Sequence, residues 1–315
     1  MSNTIPNRKA FTDTLVDLAT NDPSIFVVTS DARGSVTLEK FADTLPGQFV
    51  EVGIAEQNEI GIAAGLASFG KRVFACAPAC FLSTRSLEQV KVDVVYSQNP
   101  VRIIGISGGV SYGALGYSHQ SLHDFAVMRT FADLVVLCPA DRFQTEAITR
   151  WLAEHDVAAY VRMGRGPVPD VYANVQESFT FGKANRLSEG SDATIIANGE
   201  TVHHALEAAK ILGAQGIGVQ VLDMPTIKPI DRNAILSAAV ETGLIITVEE
   251  HSMFGGMGSA VAEIVSQEHP VPIKIMGIPD EIPIGGSSAE LFAHYGLTGD
   301  AIASHVMALI RKFKR

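Results

Sequence analysis

Residues 49–58 read Phe49-Val50-Glu51-Val52-Gly53-Ile54-Ala55-Glu56-Gln57-Asn58, and they join a short apolar strand to a helix. The helix continues through residues 59–67, which are mostly glycine, alanine and isoleucine. Side chains this small let neighbouring elements approach closely, so we expect the helix to lie in a core or an interface. Glu56 is therefore a carboxyl group at the N-terminus of a helix that has almost no other charged residue.

Two interpretations of Glu56 are open from this stretch alone. A carboxyl group at that junction is expected to lose part of its solvation, which makes it hold its proton more tightly. Such a group can exchange a proton with a cofactor or substrate near neutral pH. The plainer interpretation is that Glu56 complements the helix dipole, as acidic residues in first turns often do. The choice depends on the other motifs of the chain.

Length and composition exclude several classes of protein. The 315 residues exceed the usual size of one core and favour two domains. The net charge of −10 argues against nucleic acid as a partner. Three irregularly spaced cysteines predict neither a disulfide framework nor a metal site. The chain shows no signal-peptide pattern and no apolar run long enough to span a bilayer, so we expect a cytoplasmic protein with no membrane partner.

Short apolar strands alternate with amphipathic helices along the whole chain. Continuous apolar strands between helices are typical of a mostly parallel sheet covered on both faces. Two prolines and a glycine at residues 165–170 interrupt the alternation. The sequence therefore predicts an α/β fold with two domains, at residues 1–175 and 191–315, joined by a linker at 176–190. The expected strands lie at 25–28, 101–106, 134–137, 157–161, 194–197, 219–222 and 244–248.

A glycine-rich loop at residues 107–120 follows the strand at 101–106. A loop after a parallel strand lies at the carboxyl edge of the sheet, where ligands usually bind, although this loop has neither P-loop nor dinucleotide-binding spacing. His119 could exchange a proton with a substrate hydroxyl, but a lone histidine is more often structural. Phe81 either fills the core or offers a flat face to a heteroaromatic ring.

Three polar residues follow or precede expected elements of the first domain. If Arg8, Ser35 and Arg165 meet at one sheet edge, two guanidinium groups and a hydroxyl form an anion site. In the second domain, residues 249–259 follow a strand and open a helix. We interpret them as structural, because two acidic residues and a histidine suit phosphate poorly.

The motifs together resemble the carboxyl-terminal half of a transketolase, in order and over nearly the whole chain. The matching stretches are Val52-Gly53-Ile54-Ala55-Glu56-Gln57-Asn58, Ser118-His119-Gln120, Met128-Arg129, Cys138-Pro139-Ala140-Asp141, Arg162-Met163-Gly164-Arg165, Leu222-Asp223-Met224-Pro225-Thr226-Ile227-Lys228-Pro229-Ile230-Asp231, Val248-Glu249-Glu250-His251, Gly277-Ile278-Pro279-Asp280 and Tyr295-Gly296-Leu297-Thr298. The resemblance implies a thiamine diphosphate enzyme with a pyrimidine-binding domain followed by a transketolase C-terminal domain.

The resemblance also implies a role for each matching site residue. Glu56 corresponds to the glutamate that hydrogen-bonds the aminopyrimidine ring of the cofactor and drives its imino tautomer. Phe81 corresponds to the ring that stacks on the aminopyrimidine, and His119 to the histidine that faces the substrate. Ile54 and Arg85 are assigned to the same cofactor site. The positions that hold the terminal phosphate of the substrate correspond to Arg8, Ser35 and Arg165.

A Gly-Asp-Gly segment, which holds magnesium and the diphosphate in this family, is missing from the sequence. The resemblance therefore implies a split transketolase, in which a separate N-terminal subunit carries the diphosphate domain and Mg²⁺. The expected assembly is an α₂β₂ heterotetramer with a homodimeric contact, and the cofactor is shared between subunits. Helices of small residues suit such a permanent interface.

Two departures from the family pattern concern the substrate. Ser107 stands where a histidine of the phosphate site is common, and Ala114-Leu115 stands where an acidic pair is common. With Leu115 in place of an acidic residue, the site lacks an acceptor for a sugar hydroxyl. A site that lacks this acceptor discriminates less between substrates with and without that hydroxyl. We therefore expect transfer of a two-carbon ketol unit from an anionic ketose other than an ordinary pentose phosphate, or one bound in a different pose.

Two alternatives remain open at this stage. One is the β subunit of a 2-oxo acid dehydrogenase, although Ser118-His119-Gln120 and the neighbourhood of Arg165 favour transketolase. The other is a non-catalytic partner subunit, which Ser107 and Leu115 support and which Glu56, Phe81 and His119 oppose. The sequence leaves the donor, the acceptor and the nature of the anion, phosphate or sulfonate, undetermined.

Overall fold

The computed structural model of the chain describes residues 4–313. The strands, in chain order, are β1 (Ile5–Pro6), β2 (Ile25–Thr29), β3 (Phe49–Glu51), β4 (Arg72–Pro78), β5 (Val101–Ile106), β6 (Val135–Leu137), β7 (Ala159–Met163), β8 (Pro167–Val168), β9 (Asn185–Ser188), β10 (Ala193–Ala197), β11 (Val219–Asp223), β12 (Thr226–Lys228), β13 (Ile245–Ser252) and β14 (Ile273–Ile278).

The α-helices are α1 (Asn7–Asn21), α2 (Glu39–Thr44), α3 (Glu56–Ser68), α4 (Ala79–Thr84), α5 (Leu87–Gln89), α6 (Asp124–Met128), α7 (Arg142–Glu154), α8 (Thr201–Gly213), α9 (Arg232–Thr242), α10 (Met257–Glu268), α11 (Ser288–His294) and α12 (Gly299–Phe313). A π-helical segment at Val90–Tyr96 continues α5, and short 3₁₀ turns lie at Pro46–Gln48 and Gly113–Leu115. None of the helices described at residues 4–313 combines the length and apolar character that a membrane crossing requires.

The first sheet has seven strands in the order β12-β6-β7-β5-β4-β2-β3. Its neighbouring strands are parallel except for β12, which runs antiparallel to β6. The central strand β5 is buried at every residue. This is expected where helices cover both faces of a parallel sheet. The carboxyl ends of β2, β4 and β5 meet at one edge, and the segments that follow them carry the site.

The second sheet has five strands in the order β14-β13-β10-β11-β9. Four of them are parallel, and β9 is an antiparallel edge strand beside β11. Helix α8 packs against α12, and α9 packs against α10. The prediction of two mostly parallel sheets flanked by helices is therefore confirmed.

The two sheets do not divide the chain at a single point. Strand β9 lies inside the segment 176–190 that was expected to be a linker. Strand β12 follows β11 closely in sequence but pairs with β6 of the first sheet. The apolar core of the first sheet also includes Leu222 and Ile227 from the second half. The domain boundaries given from the sequence stay a prediction.

A buried ionic group joins the two halves. Arg162 of β7 is 3.5 Å from a carboxylate oxygen of Asp124, and it donates to the main-chain oxygen of Glu250 in β13. The Arg162 guanidinium also lies over the ring of Phe125, 4.6 Å from its centroid. Since all three charged side chains are buried, the two carboxyl groups depend on Arg162 for compensation of their charge.

Candidate active site

Glu56 begins α3 after a sharp turn of the backbone. Gly53 has a φ of +73°, which favours glycine. The carboxylate of Glu51 fixes this turn, because its Oε1 accepts hydrogen bonds from the main-chain nitrogens of Asp31 at 2.7 Å and Gly53 at 2.9 Å. Glu56 is 2% exposed, and it lies at a helix N-terminus, where the dipole favours negative charge.

Arg85 contacts both Glu56 and Phe81. Its Nη1 donates to the two carboxylate oxygens of Glu56, at 2.8 and 2.7 Å. Its guanidinium carbon lies 4.4 Å from the centroid of the Phe81 ring. The structure therefore brings together a buried carboxylate and an aromatic face, the two features that an aminopyrimidine ring would use. The assignment of Arg85 to the cofactor site stays a prediction.

A second buried carboxyl group lies one turn further along α3. Burial raises the pKa of Glu59 to about 8, and the negative charge of Glu56 acts in the same direction. The side chain of Ser30 and the main chain of Cys76 oppose this rise in the pKa of Glu59. The junction thus contains a carboxyl group that keeps its proton at neutral pH, and this group is Glu59, which has no sequence signal of its own.

The loop at residues 107–121 is held at its base by the second half of the chain. Gly109 and Ser121 close the loop with paired main-chain hydrogen bonds of 3.0 and 2.8 Å. Glu250 of β13 accepts from the main-chain nitrogen of Val110 at 2.7 Å and from the hydroxyl of Ser111 at 3.3 Å. Burial raises the pKa of Glu250, and the charge of Arg162 opposes that rise. This is a structural role, as expected for residues 249–259, although Glu250 lies within the strand.

The tip of the same loop contacts the segment at residues 279–287. The side chain of Gln120 donates to the main-chain oxygen of Ile284 at 3.0 Å. The main-chain nitrogen of Gly286 donates to the oxygen of Gly113 at 3.2 Å. A side chain at Gly113 would collide with Gly286 and Leu291. The second half of the chain therefore positions the loop that carries His119.

A continuous row of four side chains leads from the residues predicted to bind the cofactor to those predicted to bind an anion. We call Phe81, His119, Tyr112 and Arg165 the aromatic row. The rings of Phe81 and His119 meet edge to face with centroids 5.3 Å apart, and those of His119 and Tyr112 meet in the same way at 5.5 Å. The guanidinium of Arg165 lies 4.3 Å from the centroid of the Tyr112 ring.

Arg8, Ser35 and Arg165 lie together at the far end of the aromatic row, and their role as an anion site stays a prediction. Arg8 donates to the main-chain oxygens of Arg165 at 3.1 Å and Ser35 at 2.7 Å. Burial lowers the pKa of Arg8, and the nearby charge of Arg165 also lowers it. Two cations held this close repel each other, so a bound anion would relieve that repulsion.

The remaining predicted residues lie around this arrangement. Leu115 is 52% exposed and Ile54 is 77% exposed, so both offer apolar surface to a ligand or partner. Ser107 is buried with a φ of +61°, and its hydroxyl has no hydrogen-bond partner among residues 4–313. Its predicted contact with substrate would require neighbouring side chains to move.

Tyr112 is the site residue that the sequence did not indicate. Its hydroxyl lies 3.0 Å from the Oγ of Ser35, and its ring contacts both His119 and Arg165. The only signal in the sequence is an aromatic residue within a glycine-rich loop, which does not reveal what it faces. Its contacts come from three separate segments of the chain.

The residues present fit one end of thiamine diphosphate. The buried carboxylate of Glu56 and the ring of Phe81 suit the aminopyrimidine. Among residues 4–313, no group of three histidine, cysteine or acidic side chains is arranged to hold a metal ion. The buried carboxylate and the aromatic ring thus fit the pyrimidine end, and their assignment to it stays a prediction.

Known proteins give the family of this chain. Residues 3–170 match the transketolase pyrimidine binding domain, and residues 182–302 match the transketolase C-terminal domain. The chain is 56% identical over 311 residues to an apulose-4-phosphate transketolase subunit of Phocaeicola vulgatus, and the match covers 99% of both chains. It is 36% identical over 309 residues to a 6-deoxy-6-sulfo-D-fructose transketolase subunit of a Clostridium species, covering 98% of this chain and 96% of the relative.

A solved structure agrees with these matches. A "split gene transketolase, inactive beta4 tetramer" is 38% identical with a TM-score of 0.89, and the match covers 99% of this chain and 100% of that one. Two consecutive α/β units with these sheets define the pyrimidine-binding and C-terminal half of a thiamine diphosphate enzyme. The chain belongs to the transketolase family, and it is the subunit that carries these two domains. The prediction of a transketolase subunit is therefore confirmed.

Proposed function

We propose that this chain is the pyrimidine-binding subunit of a transketolase that moves a two-carbon ketol unit from an anionic ketose to an aldose. The observation that carries the proposal is the continuity of the site. Glu56, beside Phe81, lies at one end of the aromatic row, and Arg8 and Arg165 lie at the other. A ketose can thus place its carbonyl near the cofactor residues and its anion between the arginines.

Each residue of the chain then has a physical role. Thiamine diphosphate supplies the nucleophilic carbon and the electron sink for the ketol unit. Glu56 holds a proton at a ring nitrogen of the aminopyrimidine, and Phe81 holds the ring flat by stacking. His119 donates to or accepts from a substrate hydroxyl, and its Nδ1 lies 3.0 Å from the Oγ of Ser118, which orients the ring. Arg85 holds Glu56 until the cofactor binds.

The assembly in this proposal is a heterotetramer with two copies of each subunit. The partner subunit holds Mg²⁺ and the diphosphate, since no metal cluster is found at residues 4–313. The exposed side chains of Phe69 and Tyr96, together with open space beside Gly65 of α3, support a contact between copies of this chain. A relative described as an inactive beta4 tetramer supports the need for a partner.

The proposed substrate is a phosphorylated or sulfonated ketose. Leu115 offers apolar surface where the family commonly has an acidic residue, which disfavours an ordinary pentose phosphate. Apulose 4-phosphate is the first donor to test, because the relative named for it is 56% identical over the whole chain. A cytoplasmic location is part of the proposal, and the free thiols of the three cysteines suit a reducing compartment.

The test uses the chain reconstituted with an N-terminal transketolase subunit, Mg²⁺ and thiamine diphosphate. We expect ketol transfer from apulose 4-phosphate or 6-deoxy-6-sulfo-D-fructose to exceed transfer from xylulose 5-phosphate. Glu56→Gln is expected to lower kcat by about 100-fold or more, the usual contribution of a positioned acid–base group. Glu88→Gln, an exposed change nearby, is the matched control. Near-full activity of the Glu56→Gln complex would favour a non-catalytic subunit.

A second assay separates the related enzyme class. Release of carbon dioxide from pyruvate or a branched 2-oxo acid, with transfer of the acyl group to a lipoyl acceptor, would identify a 2-oxo acid dehydrogenase subunit. We expect no such release. Best activity with xylulose 5-phosphate would leave the transketolase assignment intact and refute the proposed substrate preference.

A further inference from the structure

Tyr112 occupies the centre of the site, between the residue that faces the reacting carbon and the residues that face the anion. Its ring and that of His119 meet edge to face, and its ring face contacts the guanidinium of Arg165. Its hydroxyl lies 3.0 Å from the Oγ of Ser35, where either oxygen can be the donor. A single side chain thus contacts three of the residues that the family resemblance places around the substrate.

The hydroxyl of Tyr112 points to the anion end of the aromatic row. Ser35 also provides the main-chain oxygen that accepts from Arg8 at 2.7 Å, so the phenol and the two arginines lie around the same residue. One guanidinium nitrogen of Arg165, Nη1, is buried and has no hydrogen-bond partner among residues 4–313. Beside Arg8, the structure therefore has one Arg165 nitrogen that donates to no acceptor among the described residues. It also has two hydroxyls, those of Tyr112 and Ser35, that can exchange their mutual hydrogen bond for one to a ligand.

We propose that Tyr112 is a specificity-determining residue whose hydroxyl donates a hydrogen bond to the terminal phosphate or sulfonate of the ketose. This proposal rests on the proposed function and deepens it. When the anion binds between Arg8 and Arg165, the Tyr112 hydroxyl turns from Ser35 to an anion oxygen. Ser35 is then free to donate to a second oxygen. Hydrogen bonds to charged oxygens are stronger than those between neutral groups, so the exchange is favourable.

The ring of Tyr112 contributes separately from the hydroxyl. It packs against the flat face of Arg165, which restricts the rotamers of that side chain and holds its donors in one plane. It also lies between the ring of His119 and the guanidinium of Arg165 and contacts both. The ring therefore sets how far the anion can lie from the carbons beside His119.

The experiment compares Tyr112→Phe and Tyr112→Leu with wild type in the reconstituted complex. The donors are an anionic ketose that wild type turns over and hydroxypyruvate, which is a ketol donor without a distal anion. For Tyr112→Phe we expect KM for the anionic ketose to rise about tenfold, as for the loss of one hydrogen bond to a charged group. Its kcat should change less than twofold, and its kinetics with hydroxypyruvate should match wild type.

Direct competition by small anions gives a second readout. Inorganic phosphate and methanesulfonate should inhibit wild type competitively against the anionic ketose, and their inhibition constants should rise about tenfold in Tyr112→Phe. Comparison of the two inhibitors shows which anion the site prefers. Tyr112→Leu should add a further loss, because it also removes the face that holds Arg165. Tyr117→Phe, on the exposed part of the same loop, should behave like wild type.

Three outcomes separate the possibilities. Unchanged KM and inhibition constants in Tyr112→Phe would overturn the proposal. An equal loss with hydroxypyruvate would also overturn it, since Tyr112 would then act only by supporting His119. If wild type transfers no ketol unit from either donor, the proposed function fails and the role of Tyr112 fails with it.

Discussion

Nη1 of Arg85 lies 2.8 and 2.7 Å from the two carboxylate oxygens of Glu56, although Glu56 is buried and Arg85 is half exposed. The same guanidinium lies over the ring of Phe81. A planar cation with donors in its plane therefore contacts the two residues assigned to the aminopyrimidine. Because cofactor and Arg85 need the same carboxylate, we expect them to compete for it.

Arg85→Met is therefore expected to strengthen the binding of thiamine diphosphate to the assembled complex. The substitution leaves the buried carboxylate of Glu56 without its counterion, so the cofactor gains a partner that is no longer engaged. A partly exposed ion pair contributes on the order of 1 kcal/mol, which corresponds to about fivefold in Kd. Titration calorimetry with Mg²⁺ present measures this change, and Arg72→Met, which breaks another half-exposed ion pair, is the control.

The opposite result has its own meaning. If Arg85→Met weakens binding of the cofactor while Arg72→Met does not, then Arg85 contacts the bound cofactor directly. That outcome would contradict competition and would support the assignment of Arg85 as a cofactor ligand.

Glu59 gives a prediction for the pH dependence of stability. Its pKa is raised to about 8 in the folded chain, chiefly by burial, with Glu56 and Glu51 contributing negative charge. An unfolded glutamate has a pKa of about 4.3. Between these values the folded chain keeps a proton that the unfolded chain releases, so stability falls as pH rises from about 4.5 to about 8.

Glu59→Gln removes this dependence while keeping the shape of the side chain. The variant is expected to gain stability relative to wild type as pH rises through that window, and to keep a constant difference above about pH 8. Urea unfolding at a fixed protomer concentration measures the free energy of unfolding of each chain. The contributions of the other buried carboxyl groups cancel in the difference between the two chains. A difference that is equal at pH 5.5 and pH 8.5 would rule out this account of Glu59.

Removal of the Arg162 guanidinium is expected to destabilise the fold strongly. Arg162→Met leaves the buried carboxylates of Asp124 and Glu250 without their common cation. Such a loss typically costs about 3–5 kcal/mol, whereas an exposed ion pair contributes less than about 1 kcal/mol. The free energy of unfolding in urea should therefore fall far more in Arg162→Met than in Arg150→Met, whose ion pairs are solvent-exposed. Equal losses would mean that the buried group contributes no more than a surface pair.

The sequence predicted most of the parallel strands, because each of these is a continuous apolar run between helices, but it missed the parallel strands β4 and β14. It did not predict β9 and β12, which are short and antiparallel to their neighbours. Strand β12 leaves the second half of the chain and pairs with β6. Such pairing depends on contacts between residues far apart in sequence, which local hydrophobic patterns do not contain.

The candidate site likewise contains residues that the sequence indicated and contacts that it did not. Motifs indicated Glu56 and His119, which lie within matching stretches, and the family resemblance implied the role of Phe81. The contact of Tyr112 with Ser35 spans 77 positions in sequence, and that of Arg85 with Glu56 spans 29. The residues next to Tyr112 and Arg85 in the sequence do not indicate which side chains these two residues contact. The environment of a side chain follows from how strands are ordered, so these contacts required the structure.

Gly113 provides the test of how the second half of the chain supports catalysis. A β-carbon at this position would collide with the main-chain oxygen of Gly286 and the side chain of Leu291. The leucine can change rotamer, but the main-chain oxygen can move only with its segment, whose nitrogen donates to Gly113 at 3.2 Å. Gly113→Ala should therefore displace the loop that carries Leu115 and His119. Displacements of about 1 Å in positioning groups can lower rates as much as 100-fold.

We therefore expect Gly113→Ala to lower kcat/KM at least about tenfold with every ketol donor, including hydroxypyruvate, because His119 itself is displaced. Assembly with the partner subunit should be retained. Gly47→Ala is the matched control, since a β-carbon there meets no atom within 4 Å. Activity of Gly113→Ala equal to that of Gly47→Ala would show that the loop adapts without cost. In that case the contacts from residues 279–287 would stabilise the fold without positioning His119.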